Sequence, residues 1–355
     1  MNRLLSESFG ENEDLFFLAP YEKYRRCDKN TTFDNPNRPF FIHTTMIRQL
    51  LSAAILWMLL AGATCERPVD LEIPLPEPEL VIISTFSPQQ PFRATLSSTR
   101  PALPPTPTTF IADAQVVLFQ SDNFIENLLP ATGVVTPYYE AFESIPSEET
   151  TYTLRVSAPG YKDVIAQDVV PRGVAIRDIE SIPLGFSPGA NADEIVYHYN
   201  IRITFDDPAA FRNYYHLRFH QEILRVLISE AGDTITIGKR RDQIGFGSAI
   251  NNNTITAYLD DGVLFEDNTF NGRRVTFSFP FEANVLLDRE LPGHLFVELR
   301  AVSEAYYRFY STVGRQQNSP GAPYSEPVIV FSNVEGGKGI FAGFSADTDS
   351  IRISR

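Results

Sequence analysis

Across residues 195–205 apolar side chains occupy every second position, Ile195, Tyr197, Tyr199, Ile201, Ile203 and Phe205, with Val196, His198, Asn200, Arg202 and Thr204 between them. A period of two places the sets on opposite faces of a strand, and this is the longest such signal in the chain. Shorter β-branched or alternating runs precede it: Leu80-Val-Ile-Ile, Phe92-Arg-Ala-Thr-Leu-Ser, Ala114-Gln-Val-Val-Leu-Phe, Tyr152-Thr-Leu-Arg-Val and Val164-Ile-Ala. Pro and Gly turns separate them, among them Ala158-Pro159-Gly160-Tyr161, a tight hairpin connection. After it come Tyr215-His-Leu-Arg-Phe-His, Thr234-Ile-Thr-Ile, Arg274-Val-Thr-Phe-Ser-Phe, Leu295-Phe-Val-Glu-Leu-Arg and Pro327-Val-Ile-Val-Phe, again strands. Helical spacing appears once, at Ala305, Tyr306, Phe309 and Tyr310, behind Ser303 as a cap, with the aromatics expected in the core. The pattern predicts a mainly β protein: a small sandwich over residues 79–172, then a second antiparallel β domain over 173–355 with one short helix.

A different pattern precedes these strands. Residues 50–63 are apolar except for Ser52; they follow Met46-Ile-Arg-Gln and end at Thr64-Cys65. A short basic start, a 14-residue apolar stretch and small residues before a Cys describe a secretory signal peptide over 46–64. The stretch is shorter than the ~20 residues a membrane-spanning helix needs. Ala61-Gly-Ala-Thr before Cys65 resembles a bacterial lipobox, which implies cleavage before Cys65 and lipidation of its thiol, although Thr64 and Gly62 depart from the usual residues. Residues 1–45 mix charges and aromatics without a period, and Met46 is the more natural start, so they are expected to be a non-native extension. Residues 65–78 are Pro-rich and acidic, an extended tether.

Composition sharpens this division. All three Met, the single Trp and both Cys lie at or before residue 65. Residues 1–64 carry seven basic and seven acidic groups, so the net charge of −14 belongs to the remainder, with 23 Lys and Arg (30 − 7) against 37 Asp and Glu (44 − 7). Such a surface repels phosphate backbones, which excludes nucleic acid as a natural partner. One Cys in the mature part leaves no intramolecular disulfide and no thiolate metal site.

Two resemblances follow from the motifs. The order Ala-x-Val-x-Leu, Tyr138-Tyr139, then Tyr152-x-Leu-x-Val-x-Ala-Pro-Gly-Tyr161 resembles prealbumin-like, carboxypeptidase-regulatory immunoglobulin-like domains over residues 80–172. More specifically, Phe205-Asp-Asp-Pro-Ala-Ala-Phe-Arg-Asn-Tyr-Tyr, Phe270-Asn-Gly, Leu299-Arg-Ala-Val-Ser-Glu-Ala-Tyr-Tyr-Arg, Pro323-Tyr-Ser-Glu-Pro-Val and Ser332-Asn-Val-Glu-Gly-Gly-Lys-Gly-Ile-Phe-Ala-Gly resemble the Bacteroidetes lipoprotein family called domain of unknown function 4249. That resemblance implies an outer-membrane lipoprotein, often encoded beside a TonB-dependent receptor, with no established reaction and no agreed catalytic residues.

No candidate chemistry in the residues is self-sufficient. Gly185-Phe186-Ser187-Pro188-Gly189 matches the Gly-x-Ser-x-Gly nucleophile elbow, but Pro188 lacks the N–H that would form the oxyanion hole and no helix follows, so a turn is expected. His216 and His220 would chelate a metal on a helix; on a strand, at ~3.3 Å per residue, they stand roughly 13 Å apart, as two exposed imidazoles. Asp260, Asp261, Glu266 and Asp267 surround Gly262 without the spacing of a calcium loop, and a solvated acidic loop is expected. Gly336, Gly337, Gly339 and Gly343 do not form a phosphate loop. With Asn333 and Glu335 they make the family-motif segment expected to shape any site, first through tight crossings or positive φ. No catalytic residue, metal or cofactor is expected, and Cys65 is the lipidation site. The favoured function is a non-catalytic, cell-surface outer-membrane lipoprotein that binds or gates for a TonB-dependent transporter, with a periplasmic face as the other orientation. Two alternatives stay open: a hydrolase whose residues converge only in space, favoured by a deep pocket, and an adhesive surface protein, favoured by an exposed aromatic patch.

Overall fold

The computed structural model describes residues 77–100, 107–131, 134–229, 233–244, 254–317 and 328–353. The expected extension, the signal segment, Cys65 and the tether up to residue 76 lie outside the described residues. From Pro78 onward the described chain belongs to one compact unit. Its strands are β1 (Leu80–Phe86), β2 (Arg93–Ser98), β3 (Gln115–Gln120), β4 (Asn123–Pro130), β5 (Tyr139–Glu140), β6 (Thr151–Ser157), β7 (Val164–Val169), β8 (Ile176–Pro188) and β9 (Glu194–Asp206). Beyond them lie β10 (Tyr214–Ile228), β11 (Thr234–Ile244), β12 (Ile255–Leu259), β13 (Gly262–Glu266), β14 (Arg274–Leu286), β15 (Glu290–Val302), helix α1 (Glu304–Gln317), β16 (Val334–Glu335) and β17 (Lys338–Arg352).

The expected β architecture with one helix is present. Fourteen strands form one sheet in the order β12-β13-β10-β15-β17-β1-β2-β5-β4-β3-β6-β7-β16, with β11 pairing β10; β14, β9 and β8 form a second sheet. The last long strand joins the two halves: β17 pairs antiparallel with β15 and parallel with β1, Val81 opposite Lys338 through Phe86 opposite Gly343. The boundary expected at residue 172 is therefore bridged by the chain's own C-terminal strand, and Phe341 and Val334 lie in the first core beside Leu80, Ile82, Phe86, Tyr152 and Leu154.

The second core lies between the sheets. Strand β9 turns Tyr199, Ile201, Ile203 and Phe205 inward to meet Phe277, Phe279 and Phe281 of β14 and Tyr215, Leu217 and Phe219 of β10. Burying each such aromatic stabilises the fold by about 1.5–3 kcal/mol. A third cluster covers the other side of β10, where Tyr306, Tyr307, Phe309 and Val313 of α1 pack on Leu264, Val302, Ile340 and Phe344. Ser303 caps this helix as expected, its Oγ accepting the Tyr306 N–H at 3.1 Å. The helix runs on to Gln317 because Val313 continues its buried face.

Three local expectations change. Residues 328–331 are not a strand; Val330 and Phe331 pack partly on the helix cluster, and the Phe331 N–H donates to Thr312 Oγ1 at 3.0 Å, so the segment meets the helix rather than a sheet edge. Strand β8, with two prolines and no clean alternation, had no signal in the sequence. The motif at 185–189 is not simply a turn, since Gly185 to Pro188 form the end of β8 and the turn comes after them.

Candidate functional site

The family-motif glycines sit where β17 enters between the halves. Gly336 and Gly339 have φ of +81° and +111°, and a Cβ on Gly339 would lie 1.9 Å from the Ile82 carbonyl oxygen. Gly343 passes Val169 as closely, its would-be Cβ 2.3 Å from that carbonyl oxygen. Asn333 fastens the same crossing, accepting the Phe341 N–H at 3.0 Å and donating to the Phe341 carbonyl at 2.7 Å. Glu335 is exposed on β16, and Gly337 packs under the Leu80 carbonyl. Beside this crossing the Gly343 N–H donates to Asp168 at 2.9 Å, and Ser303 donates its hydroxyl to the same carboxylate. Burial pushes the Asp168 carboxyl up to about 6, although these two donors hold it down.

A buried polar network occupies the helix-covered face of β10. His216 is buried, not exposed as its alternation implied, because α1 closes the face opposite the sandwich core. Its Nδ1 lies 2.9 Å from the Tyr306 hydroxyl and its Nε2 3.3 Å from Asp261. With the proton on Nε2 facing the carboxylate, Nδ1 accepts from Tyr306, and the tyrosine oxygen accepts from Arg300 at 3.2 Å. Arg218 pairs with Asp261 at 2.7 Å and Glu298 at 3.4 Å, and Arg300 pairs with Glu298 at 2.8 Å. Burial pushes the His216 imidazole down despite the raising influence of Asp261. Burial raises Asp261, but contact with His216, Arg218 and Arg300 outweighs it and holds the carboxyl far below its ordinary range. Two guanidiniums and two carboxylates balance, so the network neutralises itself. His220 is partly buried further along the strand and does not join His216 at a metal.

The acidic loop expected around Gly262 disperses. Asp261 faces His216 and Arg218, Glu266 pairs with Arg212, and Asp267 is buried, accepting the Asn213 N–H at 2.9 Å. Only Asp260 of the four is freely exposed. Among the described residues, no three His, Cys, Asp or Glu side chains are placed to hold a metal.

The motif at 185–189 acquires partners that its sequence could not name. Ser187 Oγ lies 2.9 Å from His198 Nε2, and His198 Nδ1 lies 3.3 Å from Glu282 Oε1. Three neighbouring strands supply the relay: Glu282 stands opposite His198 on β14, and the bulge between Pro183 and Gly185 sets Gly185 opposite His198 on β8. A serine, a base and a carboxylate lie in line, the serine hydrogen-bonded to the imidazole and the carboxylate at ion-pair distance from it. The setting is open, however, with Glu282 64% and His198 33% exposed. Two cavities of about 320 and 310 Å³ lie among the described residues, one lined by Arg172, Arg177, Asp206 and Pro208 and the other by Gln115, Arg155 and Asp163. Neither contains the relay, the buried histidine or the motif glycines.

The quoted motifs thus mark the polar joints of the fold. Asp207 accepts the Gly272 N–H at 2.7 Å and the Tyr215 hydroxyl, tying the run after β9 to the Phe270-Asn-Gly turn. The run at 299–308 supplies Arg300, Ser303 and Tyr306, while residues 323–327 lie outside the described part. These joints define a class of β protein in which two packed cores share one long C-terminal strand and one helix closes a charged face. The family described as Domain of unknown function (DUF4249) matches residues 66–350, and the chain belongs to it. A search of the curated proteins returns no match.

Proposed function

We propose that the protein is a non-catalytic outer-membrane lipoprotein, held at the cell surface by lipid on Cys65, that binds or gates for a TonB-dependent transporter. The observation that carries this reading is the 14-residue apolar stretch at 50–63, followed by Thr64-Cys65 and then an acidic, proline-rich tether. One compact body beginning at Pro78, with its buried charges neutralised internally, supports a role in presenting a surface. A single acyl chain gives marginal membrane affinity, and the several chains of a lipoprotein supply firm anchoring. Replacing Cys65 by Ser is expected to move the protein from the membrane to the soluble fraction; a variant that still sediments with membranes overturns the anchor. Protease added to intact cells is expected to digest the protein, and complete protection would place it on the periplasmic side.

A hydrolase reading has one specific observation in its favour, the Ser187–His198–Glu282 relay. A fluorophosphonate probe tests it: Ser187 Oγ would attack phosphorus, fluoride would leave, and His198 would take the hydroxyl proton. The open setting and the missing N–H at Pro188 predict no adduct. A stable adduct on Ser187, lost in His198→Ala, would replace the non-catalytic reading.

A further inference from the structure

The segment that carries the chain from β7 into β8 lines the cavity of about 320 Å³, together with the end of β9. Three side chains pin its backbone: Ser345 Oγ donates to the Pro171 carbonyl at 2.7 Å, Glu148 accepts the Gly173 N–H at 3.0 Å and Asp347 accepts the Ile176 N–H at 2.7 Å. Between the last two, Val174 is buried in the second core. A wall fixed in this way does not have to be ordered by what it binds, which removes one of the costs of association. Its place, where the chain passes from one core to the other, is a common one for small-molecule sites.

The wall offers donors and almost no free acceptor. A bulge between Ile176 and Asp178 drops Arg177 out of register with β9. Its Nε donates to Asp206 Oδ2 at 2.9 Å, and its two Nη groups have no acceptor among the described residues. Among the described residues lining the cavity, Asp206 is the one carboxylate. Both its oxygens are already occupied, because Arg274, opposite it on β14, donates Nε to Oδ1 at 2.6 Å and Nη2 to Oδ2 at 3.0 Å. Arg172, also on the wall, has no carboxylate or ring partner among the described residues. The peptide N–H groups of Val174 and Ala175 have no protein acceptor there either, and Val174 is only 5% exposed. Buried N–H groups are nearly always paired, so this wall calls for an acceptor from outside the chain. Glu148 and Asp347 do not supply it, since neither lines the cavity and each already accepts a backbone N–H.

We propose that this cavity binds a small molecule through a carboxylate or phosphate group, whose oxygens are taken by the Arg172 guanidinium and the free Nη groups of Arg177, with the Val174 and Ala175 N–H groups as further donors. Planar guanidinium forks match paired oxygens in both groups, and a cationic ligand would instead face two like charges. Asp206 serves as a positioning residue that holds Arg177 by its Nε and leaves the outer edge of the guanidinium for the ligand. The site goes beyond the anchored, transporter-linked role, since it requires neither lipid nor a partner protein.

Isothermal titration calorimetry of the full protein at low ionic strength tests this, with succinate and inorganic phosphate as probes and succinamide as the uncharged counterpart of succinate. Saturable one-to-one binding of at least one anion, with Kd below about 1 mM, is expected, and no binding of succinamide. Binding of succinate alone assigns the site to carboxylates and binding of phosphate alone to phosphates; binding of both supports the shared chemistry. Arg172→Ala removes a side chain with no other described partner, so it is expected to keep its melting temperature and weaken binding at least about tenfold, or ~1.4 kcal/mol. Arg177→Ala is expected to weaken it similarly, with Asp206 still held by Arg274. Arg202, an exposed cation of the same sheet that pairs with Glu180, is the control, and Arg202→Ala is expected to leave the affinity unchanged. Failure of both anions to bind, equal binding of succinamide, or affinity untouched by Arg172→Ala and Arg177→Ala overturns the proposal. An equal loss in Arg202→Ala also overturns it, since diffuse surface charge would then account for the binding. Membrane fractionation of Cys65→Ser is independent of all these outcomes, so failure of the anchor and failure of the anion site are told apart.

Discussion

Gly339→Ala should be among the most destabilising single-methyl changes in the chain. Its φ of +111° is strained for any residue with a Cβ, at about 1–3 kcal/mol. The added carbon would also lie 1.9 Å from the Ile82 carbonyl oxygen and 2.8 Å from its carbon, both rigid backbone in a core strand. Relief requires β17 and β1 to separate by more than about 1 Å, which weakens two or three hydrogen bonds of their parallel pairing at ~1 kcal/mol each. Together these give about 3–6 kcal/mol, or a fall in melting temperature of about 6 °C or more. Gly160→Ala is the control, because φ is +83° in the β6–β7 turn but nothing lies within 4 Å of the added carbon. Strain alone predicts about 1 kcal/mol there and a shift of a few degrees. Thermal melts followed by circular dichroism, with urea titrations beside them, compare the two. If Gly339→Ala melts no lower than Gly160→Ala, the close crossing is not what the glycine serves; a segment used only for binding would lose affinity with stability unchanged.

Asp168, with its carboxyl raised to about 6, binds its proton more tightly in the folded chain than in the unfolded one, where the value is 3.8. Its favourable contribution is complete below that unfolded value and is lost as pH rises through about 6. Wild type should therefore gain on the order of 1–2 kcal/mol over Asp168→Asn between pH 7 and pH 4, allowing for solvent at the carboxyl, and a pH-independent difference in urea midpoints would refute it. Tyr306→Phe strands the Arg300 and His216 groups that share its hydroxyl and should cost about 2 kcal/mol with the helix intact; a cost below ~0.5 kcal/mol would mean that water replaces the hydroxyl. Asp207→Ala removes the acceptor for the Gly272 N–H and the Tyr215 hydroxyl, for an expected loss of about 2–4 kcal/mol by the same measurement.

Strands that bury one face were legible in the sequence, and those with neither face clearly apolar were not. Strand β9 alternates cleanly because one face meets the second core and the other meets solvent. Strand β8 presents polar groups on both faces, with prolines at an edge that needs fewer N–H donors, so its pattern resembles a loop. The apolar run at 328–331 misled in the opposite direction, because a helix partner satisfies it as well as a sheet would. Alternation told which face His216 takes on β10 but not that α1 would cover that face, and tertiary packing turned an expected surface imidazole into a buried one. Partners such as the helix cap Ser303 and Asp168 of β7, or Ser187, His198 and Glu282 of three strands, come from separate elements, and only the folded structure brings them together. The motif glycines were legible as backbone requirements because positive φ and close approach are what glycine alone permits.

Intact-mass analysis of the protein purified from native membranes tests the central claim most directly. A chain that begins at Cys65 and carries a diacylglyceryl thioether and an amide-linked acyl group on that residue is the predicted result. An unmodified Cys65, or a mature chain that retains any of residues 1–64, would contradict it.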